Sequence, residues 1–527
     1  ERTESTVSAS REKKTRSDST YVQRRNNREE DKDRRKHILY GIAGGVVVVL
    51  AIALLVWDSG FFQKRSTAVT IDGEDYGPAV VQYYYQTALN NAYYGSVMGD
   101  TDYASFDYNA DPAEQVYDEE TGQTWRDYLL EQAIDDLTQV TVLVHAAEAE
   151  GYTLTQKDQA YLESELATLD STWRSSGSYD SLSSYLKLNY GSYMDEDTFQ
   201  SLYADQVLAD SYRQHYQDSL TYTDEETEAY YNEHTNDLDT FGYTVFTVQA
   251  TVEEQTDEEG NTVEMTDEEK TAALETAKSD ALATAQAIQS RLTNGEDAQA
   301  LADEYADALY SSSIHTTAMG STFSSAAYAD WLYDAARQSG DITLAELDRS
   351  ESSAYNYYVV QFDSRTRDDS ATADVRHILI GAASSGTTPT QEEFDAAEAE
   401  AQALLDQWKA GDATEDSFAA LAVQNTDDSG SQSTGGLYSG ISSTDSLEPN
   451  FLNWALDPAR QPGDTGIVKN ESSSIQGWHI MYFVGWDDPA WEYTVKSTWK
   501  ENDTSEWLAS LTENVEAVHG SGLDLVS

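Results

Sequence analysis

The chain has 527 residues, a formal net charge of −63 and no cysteine. Its length implies three or four domains, and 39% hydrophobic content is enough to give them cores. The lack of cysteine excludes disulfides, thiolate metal sites and a cysteine nucleophile, and so strong a negative charge argues against nucleic acid, whose phosphates it would repel.

Residues 1–37 are polar, and the first 36 hold 12 Lys or Arg against 8 Asp or Glu, a net +4. They read as a disordered basic tail. Ile38 to Trp57 then runs for 20 residues without a charge. At about 1.5 Å per residue it is long enough to cross a hydrocarbon core of about 30 Å. The expectation is a single transmembrane helix over 38–57. A cleaved signal peptide is the alternative, but Trp57-Asp58-Ser59-Gly60-Phe61-Phe62 follows where a small-residue cleavage site would stand. Lys and Arg crowd the N-terminal flank, which puts the tail in the cytoplasm and everything after the span outside the cell membrane. The part outside then carries −63 − 4 = −67.

Residues 67–235 read as mostly helical. A short strand and turn at Ala68 to Tyr76 precede a helix from Pro78 to about Tyr94, where Pro78 suits the first turn. The spacing of Leu129, Leu130, Ala133, Ile134, Leu137, Val140, Leu143, Val144 and Ala147 predicts a helix over Trp125 to Glu150, stopped by Gly151. Capping residues Thr155 with Asp158 and Thr223 with Glu226 start two more, and further helices are predicted over 181–189 and 195–220. Tyr83, Tyr84, Tyr85, Tyr93, Tyr94, Tyr230 and Tyr231 either line a cleft for apolar polypeptide segments or serve as ordinary core and surface aromatics.

From about Thr240 the chain repeats itself. Residues 330–341, DWLYDAARQSGD, match residues 453–464, NWALDPARQPGD, without a gap. Ala-rich amphipathic helices ending in Gly, over Thr271 to Asn294 and Glu392 to Ala410, precede the two copies. The units are 240–366 and 372–488. The second carries the polar residues: Asp374-Val375-Arg376-His377-Ile378-Leu379 on one strand, Asp428 and Ser429 before a Gly435-Gly436 turn, Phe451 on a helix, and Gly477-Trp478-His479-Ile480-Met481 on a closing strand. The first lacks them. Tyr358 stands in the place of His479, and its opening strand has no histidine.

This four-part pattern resembles the parvulin-type peptidyl-prolyl cis/trans isomerases. The resemblance implies that His377, Asp428 and His479 form the catalytic group and that Leu437, Leu447 and Phe451 wall a proline pocket, with Gln476 beside it. The two histidines are expected to hydrogen-bond to each other and fix the polarity near Asp428. Aspartate is a poor substitute for a thiol, which favours a noncovalent twist of the amide over nucleophilic attack. The strand-turn-helix start after the hydrophobic stretch is more weakly similar to the extracytoplasmic foldase-chaperones of the PrsA/SurA class. In such proteins a C-terminal segment completes the helical domain. Residues 489–527, with a helix near Thr504 to His519, either do this or cap the last domain.

The fold class expected is therefore α+β: a transmembrane helix, a mostly α-helical chaperone-like domain and two tandem parvulin-like α+β domains, the first degenerate. The function expected is a membrane-anchored prolyl isomerase that helps exported, partly folded polypeptides with X-Pro bonds, with no cofactor and no nucleic acid partner. A nonenzymatic holdase built on inactive modules is the alternative, and a surface protein using the modules as spacers is a third. There is no H-E-x-x-H pair, no G-x-S-x-G elbow and no Walker A loop.

Overall fold

The computed structural model describes residues 65–252, 255–256, 262–263, 265–349, 354–383, 387–471 and 474–527. The basic tail and the hydrophobic stretch 38–57 lie outside the described residues. Among the described residues no helix is long and apolar enough to cross a membrane. The chain divides into two compact units, one ending at Val142 and taking in Asp170–Asp205 and Thr512–Ser527, the other made of Leu143–Leu169 and Gln206–Leu511. The helical region 67–235 contributes to both.

In the first unit β1 (Val69–Ile71) and β2 (Glu74–Tyr76) form a hairpin. Its turn needs positive φ, at 49° for Asp72 and 84° for Gly73. Helix Pro78–Met98 begins on Pro78, whose missing N–H would be unpaired in any first turn, and ends at Gly99 with φ 80°. A hairpin of β3 (Val116–Asp118) and β4 (Gln123–Thr124) leads into helix Trp125–Glu150. The apolar stripes of these two helices meet in a core of Val81, Tyr84, Tyr85, Trp125, Leu129 and Ile134, closed by Val526. The C-terminus departs from the expected helix over 504–519. The helix is Ala490–Thr512, and Ala517–His519 is a strand paired antiparallel with β1, Val69 opposite His519. The apolar period starts earlier than the sequence reading placed it, because Trp491 and Val495 are already buried against Leu238.

The second unit holds helices Asp224–Glu233 and Thr235–Leu238 and two antiparallel sheets. Strands β5 (Thr240–Thr251), β8 (Ser311–Met319), β9 (Ile342–Arg349) and β10 (Ala354–Thr366) make the first, in the order β8-β5-β10-β9. Between β5 and β8 lie a small hairpin, β6 (Gln255–Thr256) with β7 (Thr262–Val263), and helix Asp267–Thr293. Strands β11 (Ala371–Gly381), β12 (Leu437–Ile441), β13 (Thr465–Asn470) and β14 (Gly477–Pro489) make the second sheet, in the order β12-β11-β14-β13. The remaining strand, Ala517–His519, is β15.

The two orders are the same, and so is a detail of backbone pairing. Gly340 N–H donates to Phe362 O and Phe362 N–H to Asp341 O, at 2.8 and 2.9 Å; Gly463, Phe483 and Asp464 repeat this at 2.8 and 2.8 Å.

Alternation along β11 and β14 gives the second sheet two buried faces. Ile378, Ile380 and Ile480 pack on Ala397, Ala401 and Leu405 of helix Gln391–Ala410 and on Phe418 of helix Glu415–Asn425. Val375, Met481 and Phe483 face the other way, onto Phe451 and Ala455 of helix Pro449–Ala455. Both histidines of the pattern belong to this second face, so the first face supplies a rigid back wall for them. Truncating Phe418 to Ala would cost about 3–5 kcal/mol and loosen that wall.

Candidate active site

His377 on β11 lies opposite Met481 on β14, and His479 lies opposite Leu379. The histidines are thus diagonal neighbours on one sheet face, a separation their side chains can span. Their Nδ1 atoms are 3.0 Å apart. Both rings are buried, and each packs edge-on against Phe451, at 5.4 Å from His377 and 5.2 Å from His479.

Asp428 comes from the loop after helix Glu415–Asn425, and backbone bonds fix that loop to β11. Leu379 N–H donates to Thr426 Oγ1 at 3.1 Å, Asp427 N–H to Leu379 O at 2.8 Å, and Gly381 N–H to Asp427 Oδ2 at 2.7 Å. The Gly435-Gly436 turn fastens its far end, where His377 N–H donates to Gly436 O at 2.8 Å. Gly436 has φ 73°, and a Cβ there would overlap the carbonyl oxygen of His377. Only glycine fits this approach. The carboxylate of Asp428 accordingly reaches His377, its Oδ2 2.9 Å from Nε2. The same oxygen accepts from Ser431 Oγ at 2.6 Å and Tyr438 OH at 3.2 Å, while Oδ1 accepts from Gly430 N–H at 3.2 Å.

These contacts set the protonation states. The bond from His377, aided by Ser431 and Gly430, holds the Asp428 carboxyl well below the usual carboxylate range against the opposing effect of burial. An ionised Asp428 offers only acceptors, so Nε2 of His377 carries a proton toward it. In a neutral His377 the Nδ1 is then an acceptor. His479 must donate from its own Nδ1, which leaves its Nε2 a bare acceptor. Burial, and next the adjacent His377, push the His479 pKa down to about 3, so His479 is neutral at physiological pH. Its Nε2 is buried and finds no hydrogen-bond partner among the described residues. Burial first, and the charge of Asp428 second, raise the Tyr438 phenol to about 12.

The group opens into a cavity of about 250 Å³, lined by His377, Asp428, His479, Tyr438, Leu447, Glu448, Phe451 and Ile475, among others. Of the seven residues the sequence singled out, five are brought together here. Leu437 and Gln476 do not line the cavity. Leu437 pairs with Arg376, a position of the opposite sheet face, and Gln476 turns its amide to the Glu471 carbonyl at 2.9 Å. Tyr438, one residue on, takes the place Leu437 was given. Tyr438 and Ser431 are site residues that the sequence pattern does not single out, although Ser431 stands only three residues after Asp428, in the same loop. Among the described residues no group of three or more His, Asp or Glu side chains is placed to hold a metal ion.

The first sheet has the corresponding positions without the chemistry. Val360 is opposite Val245 as Met481 is opposite His377, so Val245 stands for His377 and Tyr358 for His479. Tyrosines and Phe323 fill this face. Tyr358 packs on Tyr328 at 5.5 Å and Tyr243 on Phe323 at 5.3 Å, and Tyr358 OH accepts from Asn356 Nδ2 at 3.0 Å.

Residues 357–483 match the PPIC-type PPIASE domain family. The match starts in β10 of the first sheet and stops within β14, taking in every residue of the candidate site. Among solved structures, the chain is similar to a crystal structure of the peptidylprolyl isomerase PrsA from Bacillus anthracis. It shares 18% identity with that structure over 28% of this chain and 60% of that one, with a TM-score of 0.18. The chain thus spans less than two thirds of the length of that relative. No curated protein is significantly similar to it.

Proposed function

We propose that the chain, which carries a parvulin-type peptidyl-prolyl isomerase domain in its C-terminal half, catalyses cis/trans interconversion of X-Pro bonds in unfolded or partly folded polypeptides. The observation that carries this reading is the hydrogen-bonded row Asp428, His377, His479 beside an apolar wall of Leu447 and Phe451 in one cavity. An X-Pro bond must cross a barrier of roughly 18–20 kcal/mol, and a millionfold acceleration needs about 8 kcal/mol of differential stabilisation. No bond is made or broken, so the site has only to bind the twisted amide better than either planar form.

Leu447, Phe451 and the ring of Tyr438 hold the pyrrolidine ring. Twisting ends the amide resonance and returns electron density from the carbonyl oxygen to nitrogen. A fixed negative charge beside that oxygen therefore opposes the planar forms more than the twisted one, and this is the role of Asp428. His377 holds the carboxylate in place, and His479 holds His377. Both are positioning residues. The experiment is exchange NMR on an Ala-Pro peptide: cross-peaks between cis and trans forms with catalytic amounts of the chain support the reading, and their absence with a folded chain refutes it.

The sequence pattern of residues 38–57 supports a membrane tether with the rest of the chain outside, acting on exported polypeptides. Fractionation of cells carrying the full chain, and digestion of its C-terminal part by protease added outside the membrane, test that placement. A holdase activity alongside is favoured by exposed Tyr93, Tyr94, Val97 and Met98 on one end of helix Pro78–Met98. Suppression of client aggregation by an Asp428→Ala chain would demonstrate it.

A further inference from the structure

The cavity of the second sheet carries charge of one sign. Asp428 is held ionised by its donors, and Glu448 lines the cavity with it. Among the described residues no Lys or Arg lines it. Glu448 is fixed in place: one carboxylate oxygen accepts from Phe451 N–H at 2.8 Å and the other from Asn450 Nδ2 at 3.2 Å. The two nearby cations are engaged elsewhere. Lys469 on β13 pairs with Glu471 at 2.8 Å and lies over the Phe394 ring at 4.5 Å. Arg376, on the other sheet face, pairs with Glu415 at 2.9 Å and donates to the carbonyls of Thr434 and Gly435. The remaining polar group of the row, buried His479 Nε2, is an acceptor.

We infer that the site prefers X-Pro bonds in which X, the residue before proline, is Lys or Arg, and that it rejects Glu and phosphoserine at that place. The inference rests on the isomerase reading above. The apolar wall takes the proline ring and the carbonyl being twisted belongs to X, so X sits on the Asp428 side of that wall, in a cavity that Glu448 also lines. A cationic X gains the carboxylate of Asp428 and, within the same cavity, that of Glu448, without displacing an existing partner cation. A phosphate there would meet the same two charges with nothing to balance it. The charge of −63 over the whole chain adds attraction for cationic segments during encounter.

The test is kcat/KM for peptides that differ only in X, taken as Lys, Ala, Glu and phosphoserine, at low and high salt. Lys-Pro turnover exceeding Glu-Pro by roughly tenfold at low salt, with the gap closing as salt rises, is the expected result. Glu448→Gln narrows the Lys/Glu ratio about threefold, roughly the share of one of two like charges. Equal or reversed preference in a chain that turns over Ala-Pro overturns the inference and leaves the isomerase reading standing. No turnover of any peptide overturns both.

Discussion

Lowering the pH from 7 to 5 should loosen β11 and β14 around His479. Burial holds the folded pKa of this side chain at about 3, from an ordinary value of 6.5. The unfolded chain therefore takes up a proton between these values that the folded chain refuses. The stability that depends on neutral His479 is complete above pH 6.5 and is lost progressively as pH falls toward 3. At pH 5 the loss corresponds to about 1.5 pH units, or about 2 kcal/mol. Asp374, on the neighbouring strand β11, works in the opposite sense. Burial raises its pKa to about 6, so protonation between about pH 6 and 4 favours the folded form. The comparison must therefore be between the parent and a His479→Asn variant, which keeps Asp374 and removes only the imidazole. Amide hydrogen exchange over residues 371–381 and 477–489, corrected for intrinsic rates, is the assay. Relative to the variant, protection in the parent should fall about 30-fold between pH 7 and pH 5. An equal change in both would refute the assignment of His479 as a buried neutral acceptor.

Gly436→Ala should disrupt the site from the backbone. The left-handed φ costs about 1–2 kcal/mol, and the overlap with His377 O adds to it because neither partner is a flexible side chain. Gly463→Ala, at φ 90° with open space around it, should cost only the conformational part, and urea unfolding followed by exchange at β11 distinguishes them. Tyr438→Phe keeps the ring against Phe451 and removes one of four donors to Asp428. A loss of about 1 kcal/mol, hence about fivefold in kcat with KM little changed, is expected from peptide kinetics.

Those residues show how far the sequence could be read. His377, Asp428 and His479 were legible because each sits in a local pattern, two strands and an acidic loop, that permits few alternatives. Phe451 was legible from the short helix that carries it. Choosing Leu437 over Tyr438 required knowing which face each presents. That parity is set by the pairing of β12 with β11, Leu437 opposite Arg376 and Tyr438 opposite Val375, a long-range feature that no local pattern carries. Gln476 is placed beside the pocket by the resemblance alone, yet a nearby backbone carbonyl takes its amide. The last strand, Ala517–His519, reads as helix in the sequence because three residues are too few to show a period of two, and its partner β1 lies more than 400 residues away in sequence. The matching order of the two sheets was legible from the repeat at 330–341 and 453–464.

The most direct measurement is refolding of a protein limited by proline isomerisation, with catalytic amounts of the chain from Thr67 to Ser527, its Asp428→Ala variant and its Val245→His/Tyr358→His variant. The account predicts acceleration by the parent, its loss in Asp428→Ala, and no gain from histidines placed in the first sheet, which would still lack a carboxylate. Undiminished acceleration by a folded Asp428→Ala chain would contradict the assignment of catalysis to the second sheet.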